Sequence, residues 1–213
     1  CPGFASAAKY IATSCAEVYK DARVYDTGMV TVIEIMGRHA GWLAGAAALA
    51  GVVGCAPDLV YLPEVNFDMD KFLNDVDTIY KKNGNCIVAV SEGIHYADGT
   101  FVSEAKTSAT DGFGHAQLGG LAALLANIVK ERTGAKVRGI ELSLLQRCGA
   151  HVASRTDIDE SFLAGKTAVE AAVSGETDKM VGFDCSREGG KYTCQTKLFN
   201  LSEVANFEKK VPL

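Results

Sequence analysis

The clearest pattern in the sequence is the run from Val30 to Gly51, VTVIEIMGRHAGWLAGAAALAG. Its first seven residues, 30–36, are mostly β-branched or apolar, which is typical of a strand that is buried on both faces. A turn rich in glycine follows at 37–41, and residues 42–51 are small and apolar at helical density. The run therefore predicts a strand, a glycine turn and a helix in succession.

The same alternation of strand and helix patterns extends in both directions from this run. Helical patterns lie at 4–22, 68–82, 115–133 and 159–174, short apolar strands at 59–62, 86–90 and 136–142, and a late hairpin at 180–183 and 192–198. Alternating strands and helices form βαβ units. The sequence therefore predicts an α/β fold with a mainly parallel sheet, whose ligands lie beyond the carboxyl ends of the strands.

The composition of the chain disfavours several classes of function. The 213 residues carry a formal net charge of −5, whereas a nucleic-acid-binding protein needs a basic face. The seven cysteines are odd in number and include no C-x-x-C pair, and no two histidines are four residues apart. Neither a zinc site nor a disulfide framework is therefore predicted, and a reducing cytoplasm suits this cysteine usage.

The sequence also lacks the patterns of an exported or membrane-spanning protein. No basic stretch followed by an apolar one opens it, and the longest near-apolar run, Trp42 to Pro57, is too short to span a bilayer. We expect no membrane partner. The chain begins with Cys1 rather than methionine, and we expect it to be part of a longer protein.

Two of the predicted strands end in polar residues that suit a sugar or phosphate ligand. Gly37 and Arg38 follow the strand at 30–36. Glycine lets a backbone approach a ligand closely, and the guanidinium group offers a fixed fork of donors. Glu92 follows the strand at 86–90, where a carboxylate can accept sugar hydroxyls. The alternative is that Arg38 lies on an exposed loop and that Glu92 faces solvent or pairs with a lysine.

Two further segments suit either a ligand site or an ordinary structural role. Arg138, Arg147 and Arg155 can converge on an anion, or they can form surface ion pairs, which contribute little to the stability of the fold. Residues 111–120, DGFGHAQLGG, resemble a phosphate loop but match neither G-x-G-x-x-G nor G-x-x-x-x-G-K-[ST]. We expect these glycines to allow close helix packing. No G-x-S-x-G or H-E-x-x-H motif is present, so no self-contained acid–base pair is predicted.

Four blocks of sequence, taken in order, closely resemble the phosphofructokinase family. They are IEIMGRHAGWLAGAAALAG at 33–51, APDLVYLPE at 56–64, IVAVSEG at 87–93 and LQR at 145–147. The resemblance implies the Rossmann-like, three-layer α/β fold of that family. It also implies a glycolytic enzyme that transfers a phosphoryl group from pyrophosphate or ATP, with Mg²⁺, to the 1-hydroxyl of fructose 6-phosphate.

The resemblance assigns roles to individual residues. The family's M-G-R motif falls on Met36, Gly37 and Arg38 and contacts the sugar phosphate. Its strand-end glutamate falls on Glu92 and binds sugar hydroxyls. The arginine of its Q-R pair falls on Arg147 and is a further substrate contact.

Other positions of the family's pattern are shared between subunits or altered. Arg138 matches an arginine that reaches the 6-phosphate bound by a neighbouring subunit, which implies a homodimer or homotetramer. Ser143 and Leu144 replace a glycine followed by histidine or tyrosine, so the phosphate contact at Leu144 is lost or made by its backbone. Met29 replaces an arginine of ATP-type members, and the block LQRCGAHVASRTD is more like pyrophosphate-dependent members.

The donor-binding half of the family has no counterpart in this sequence. The motif G-G-D-[GD]-[ST] and the segment T-[IV]-D-N-D, whose first aspartate is the base, are both absent. The resemblance therefore implies that residues 1–213 are the sugar-phosphate-binding part of a partial chain, without catalytic base or Mg²⁺ ligands and inactive alone. Two other classes stay open: a non-catalytic sugar-phosphate-binding module, and a nucleotide-dependent oxidoreductase, which the lack of G-x-G-x-x-G disfavours.

Overall fold

The computed structural model describes residues 3–103 and 120–212. Its strands are β1 (Met29–Ile35), β2 (Leu59–Tyr61), β3 (Asn85–Ser91), β4 (Val137–Glu141), β5 (Lys179–Ser186) and β6 (Thr193–Asn200). Its α-helices are α1 (Phe4–Ala22), α2 (Trp42–Ala46), α3 (Met69–Asn83), α4 (Leu121–Thr133), α5 (Leu145–Cys148), α6 (Arg155–Val173) and α7 (Leu201–Val204). A 3₁₀ helix, Ala47–Val53, continues α2.

Four of the strands form a parallel sheet in the order β2-β3-β1-β4. β1 lies between β3 and β4, and its last residue, Ile35, pairs with Ser91 at the end of β3. Glu34 pairs in the same way with Glu141 at the end of β4. The segments that follow these three strands therefore start at one edge of the sheet. The predicted α/β fold with a parallel sheet is confirmed.

Helices cover both faces of this sheet and give it three layers. Val30 and Val32 of β1 belong to a core cluster with residues of α3 and α4. Ile33 and Ile35 belong to a second cluster with residues of α1 and α2. This alternation follows from the two-residue period of a strand, and burial on both faces explains why the strand reads as a nearly continuous apolar run.

Helix α3 shows how local sequence sets the ends of an element. Asp68 precedes it, and its carboxylate accepts a hydrogen bond from the backbone amide of Lys71 at 2.9 Å. Such an N-cap satisfies one of the free amides of the first turn. Gly84 ends the helix with φ 73°, a left-handed conformation that glycine adopts at low cost.

The structure departs from the predicted elements at several boundaries. The helix predicted over 42–51 is α-helical only as far as Ala46 and is then a 3₁₀ helix. Helix α6 begins at Arg155 rather than Asp159, because Ser154 has extended backbone geometry and the helix starts directly after it. The helix expected from His115 is described from Leu121 onward; residues 115–119, and 111–119 of the glycine-rich segment, lie outside the described residues.

The last third of the described chain packs beside the sheet rather than within it. β5 and β6 pair as an antiparallel hairpin, as predicted, and Thr167 of α6 hydrogen-bonds to Thr196 of β6 at 2.9 Å. No residue of α6 is buried, and Phe162 and Val173 are 75% and 83% exposed. Within 3–103 and 120–212, no helix combines the length and apolarity that a membrane crossing requires.

Candidate functional site

The residues that follow β1 and β3 form one hydrogen-bonded cluster. The amide of Gly37 donates to Oε1 of Glu92 at 3.2 Å. The hydroxyl of Ser91, the last residue of β3, donates to the carbonyl oxygen of Gly37. The amide of Met36 donates to Oε1 of Gln146 at 3.3 Å. The turn Met36–Gly37–Arg38, here called the M-G-R turn, is therefore held from two sides.

Two glycines allow the close approach of backbone segments in this cluster. Gly37 has φ 150°, and a Cβ built on it would lie 2.7 Å from the carbonyl oxygen of Ala40. A Cβ on Gly93 would overlap the backbone of Arg38, its carbonyl oxygen most closely. Since neither clash is with the end of a flexible side chain, both positions require glycine. Gly93 and Glu92 together set where the M-G-R turn lies.

Gln146 and Arg147 are neighbours in sequence but differ in burial and in their contacts. Gln146 is 2% exposed, and its Nε2 donates to the carbonyl oxygen of Ser143 at 3.0 Å. It thereby joins the segment after β4 to the M-G-R turn. Arg147 is exposed and, like Gln146, lines a cavity of about 360 Å³ that also includes Ser6 and Ala7 of α1. The sequence pattern singled out the pair without distinguishing these two roles.

Ser143 and Leu144 lie in the turn after β4, where Ser143 has left-handed backbone geometry and Leu144 is exposed. Leu144 is 58% exposed, and its carbonyl oxygen accepts a hydrogen bond from the amide of Arg147 at 2.9 Å. Ser143 has φ 42°, within the left-handed region that costs a residue with a Cβ about 1–2 kcal/mol. The geometry gives a physical reason for the glycine that the phosphofructokinase pattern has at this position.

This strain leads to a stability prediction. Ser143→Gly should raise the free energy of unfolding by about 0.5–1 kcal/mol, because relief of the left-handed strain exceeds the extra chain entropy of glycine. Urea unfolding measures the difference. Ser161→Gly, in the exposed interior of α6, is the control and should instead lower stability by a similar amount. A loss of stability in both variants would contradict the assigned strain.

The structure does not bring the three predicted arginines together. Arg138 pairs with Thr31 in the sheet register and is exposed. It lies three residues before Glu141, or about 10 Å along the strand, whereas Arg147 follows the carboxyl end. Arg155 donates to both carboxylate oxygens of Asp159 at 2.9 Å. Within the described residues the three arginines therefore do not converge on one anion, and Arg155 forms a surface ion pair instead.

Glu34 is a buried carboxyl group at this edge that was not predicted as part of the site. It lies in β1, is 6% exposed, and accepts a hydrogen bond from the amide of Ala122 at 2.8 Å. Burial raises its pKa to about 7; backbone hydrogen bonds from Ala122 and Leu121 oppose this increase, and the carboxylates of Glu141 and Glu92 add to it. The signal in the sequence was the single acidic residue inside the run VTVIEI.

A segment near the end of the described chain also reaches this edge. We call residues 207–212 the tail. The indole Nε1 of Trp42 donates to the carbonyl oxygen of Lys209 at 2.6 Å. One oxygen of Glu64, Oε1, accepts from the amide of Gly41 and from the amide of Val211, both at 2.9 Å. A single carboxylate thus links the loop after the M-G-R turn to the tail.

Glu64 is partly buried, and its surroundings favour the ionised carboxylate. Burial raises its pKa, but the amides of Gly41 and Val211 and the positive charge of Lys210 outweigh that effect, so its pKa lies below the usual value. Neither Glu64 nor the tail was predicted as part of the site. No three histidine, cysteine, aspartate or glutamate side chains within 3–103 and 120–212 come together in a group that could hold a metal ion.

Comparisons with known proteins place these features in context. The family model described as phosphofructokinase matches residues 1–172. The pyrophosphate–fructose 6-phosphate 1-phosphotransferases of Methylococcus capsulatus and Halomonas elongata are 44% and 42% identical, over 100% and 99% of this chain and 51% and 50% of their own lengths. A pyrophosphate-dependent phosphofructokinase structure from Marinobacter aquaeolei matches with a TM-score of 0.77 and 38% identity, over 100% of this chain and 50% of that one. The chain spans about half the length of the curated relatives it matches.

Proposed function

Because the chain belongs to the phosphofructokinase family, we propose that it is the fructose 6-phosphate-binding part of a pyrophosphate-dependent phosphotransferase. The reaction moves a phosphoryl group from pyrophosphate to the 1-hydroxyl of fructose 6-phosphate and releases orthophosphate. The observation that carries this proposal is the M-G-R turn, held by Glu92 and Gln146 at the carboxyl edge of a parallel sheet. Pyrophosphate is preferred to ATP as the donor because the relatives above are named for pyrophosphate.

The proposed substrate contacts are made both to the phosphate group and to the sugar hydroxyls. Arg38 supplies positive charge and paired donors for a phosphate group. Glu92 holds Gly37 through Oε1, but a carboxylate has about four lone-pair sites, so it can accept a sugar hydroxyl at the same time. Arg147 stands exposed at the neighbouring cavity and adds a second cation, while Met36 and the backbone of Leu144 complete the set. Catalysis at such a site is mainly positioning and electrostatic stabilisation.

The remaining parts of the reaction are proposed to lie in a longer enzyme. The base and the donor-phosphate loop would come from the part of the relatives that this chain does not match. The exposed apolar side chains of α6 support contact with further protein, since large apolar patches commonly mark interaction sites. Mg²⁺ would accompany the donor, with its ligands outside the residues described.

Self-association and location are proposed on two further observations. Arg138 is exposed on β4, at one edge of the described sheet, where it can reach a neighbouring subunit of a homo-oligomer. The cysteines of the described residues, Cys15, Cys55, Cys86, Cys148, Cys185 and Cys194, are free thiols. Free thiols are typical of proteins in a reducing compartment, and we propose the cytoplasm.

Calorimetric titration of the chain with fructose 6-phosphate, beside fructose, tests the proposed site. Saturable binding of the phosphate ester without binding of fructose is expected, because the contacts are mainly to the phosphate. Equal binding of both sugars, or of neither, would contradict an acceptor site within this chain. Incubation of the chain with fructose 6-phosphate, pyrophosphate and Mg²⁺ should form no fructose 1,6-bisphosphate, and sustained turnover would contradict the proposal that the base lies elsewhere.

Arg38→Ala should weaken the binding of fructose 6-phosphate by about 2 kcal/mol, or roughly thirtyfold. The reason is the loss of a charge-assisted contact to the phosphate. Arg132→Ala makes the same change of charge at an exposed position in the last turn of α4 and should leave the affinity within about twofold. Equal affinities in the two variants would remove Arg38 from the site, provided both unfold at the same urea concentration.

A further inference from the structure

A second cavity lies at the same edge of the sheet, between the M-G-R turn and the tail. It has a volume of about 270 Å³, and its lining includes Arg38 and His39 from the turn, His95 from the segment after β3, and Lys210 from the tail. At roughly 30 Å³ per water molecule, this is room for several waters, and therefore for the five heavy atoms of a phosphate ion. None of its lining residues within the described chain is acidic.

The two histidines are held in place against the ring of Phe101. Their ring centroids lie 6.4 Å (His39) and 6.3 Å (His95) from the Phe101 centroid, in edge-to-face geometry. Nδ1 of His95 is 3.2 Å from the carbonyl oxygen of Gly93. Because a carbonyl only accepts hydrogen bonds, Nδ1 is the protonated nitrogen, and Nε2 is left for another partner.

Lys210 reaches this cavity because the tail is held on both sides of it. The carbonyl oxygen of Lys209 accepts from the Trp42 indole, and the amide of Val211 donates to Glu64. The side chain of Lys209 lies over the Trp42 ring, with Nζ 5.9 Å from the centroid. Two adjacent lysines therefore have different surroundings, and Lys210 is the one that lines the cavity.

The electrostatics of the cavity favour an anion. Arg38 and Lys210 contribute two fixed positive charges to the lining. Among the described residues, Glu64 is the acidic group near Lys210; its Oε1 accepts two backbone amides, and it does not line the cavity. Glu92, the acidic residue that follows β3, directs Oε1 to the amide of Gly37. A dianion of tetrahedral shape would meet donors from the turn and from the tail.

We propose that Lys210 is an anion-binding residue and that, with Arg38, it binds a phosphoryl dianion in this cavity. The inference rests on the proposed function, whose substrates carry such groups, and extends it to a residue of the tail. The shared ligand chemistry is a phosphate group with two negative charges. Its source is either an inorganic phosphate or pyrophosphate, or the phosphate ester of the sugar.

Calorimetric titration with orthophosphate at constant ionic strength tests the proposal directly. The wild-type chain should bind orthophosphate saturably, and Lys210→Gln should weaken that binding about tenfold through loss of a charge-assisted contact. Lys209→Gln is the matched control, because it removes the same charge one residue away, and it should change the affinity by less than about twofold. Lys210→Arg keeps the charge and should retain most of the affinity.

The outcomes separate this inference from the proposed function. Absence of saturable orthophosphate binding, or equal losses in Lys210→Gln and Lys209→Gln, would overturn the role of Lys210. Parallel titrations with pyrophosphate and with fructose 6-phosphate show which phosphate source the cavity binds. A loss of affinity in Lys210→Gln for either one of these ligands supports the proposal. If fructose 6-phosphate does not bind while orthophosphate binds in a Lys210-dependent manner, the proposed function fails and the anion site stands.

Discussion

Gly93→Ala should lower the free energy of unfolding by at least about 3 kcal/mol and abolish the binding of fructose 6-phosphate. A methyl group at position 93 would overlap the carbonyl group of Arg38. The backbone of the M-G-R turn cannot move away easily, because hydrogen bonds hold it in place. Gly37 is bonded to Ser91 and Glu92, and the amide of Met36 is bonded to Gln146. Overpacking of this kind usually costs about 1–3 kcal/mol, and a clash between main chains lies at or beyond the upper end of that range.

Urea unfolding and calorimetry measure the two parts of this prediction. Gly165→Ala is the matched control, since a Cβ at that position in α6 would meet nothing within 4 Å. The control should be more stable than the wild type by up to about 1 kcal/mol, because alanine is the better helix former. If Gly93→Ala and Gly165→Ala changed the free energy of unfolding equally, the M-G-R turn would not pack closely against the segment after β3.

Glu34→Gln should become more stable relative to the wild type as the pH rises, by roughly 3 kcal/mol between pH 4.5 and pH 8. In the folded chain the pKa of Glu34 is raised to about 7, whereas in the unfolded chain it is about 4.3. Below the lower value the carboxyl is neutral in both states, and its contribution is fully present. As the pH rises the unfolded chain releases the proton first, so wild-type stability falls until the folded group also ionises near pH 7.

Glutamine cannot ionise, and its amide oxygen can still accept the hydrogen bond from Ala122. The difference in unfolding free energy between variant and wild type, measured in urea at several pH values, isolates the contribution of Glu34 from that of the other ionisable groups. Glu131→Gln, at an exposed position in α4, provides the control and should show a much smaller dependence because solvent screens the charge. A pH-independent difference for Glu34→Gln would show that its carboxyl is not desolvated.

The sequence was informative where structure depends on local pattern. The apolar run of β1, the glycines of the M-G-R turn and the helical pattern at 68–82 each predict an element from neighbouring residues, and the observed elements follow them closely. The helix starting at Arg155 was misplaced by four residues, since its first turn carries no apolar periodicity. The 3₁₀ geometry after Ala46 was likewise missed, because small residues suit both kinds of helix.

The parts that escaped prediction depend on contacts between distant residues. Glu34 accepts the amide of Ala122, 88 residues later, and no local pattern indicates that partner. Gln146 is buried whereas Arg147 is exposed, and the amide that the Gln146 oxygen accepts belongs to Met36, 110 residues earlier. Lys210 and Lys209 are indistinguishable by composition, and the tail contacts with Glu64 and Trp42 alone separate them.

The attachment of the tail has a consequence for the order in which the molecule assembles. Val211 lies 147 residues after Glu64, and Lys209 lies 167 residues after Trp42. Contacts of such sequence separation carry a large loop-closure entropy and form late. During synthesis from the amino end, β1, β3 and the M-G-R turn emerge long before residue 210 does. The cavity therefore gains its lysine after the M-G-R turn has formed, and a nascent chain would hold an open, incomplete version of this anion site until the tail docks.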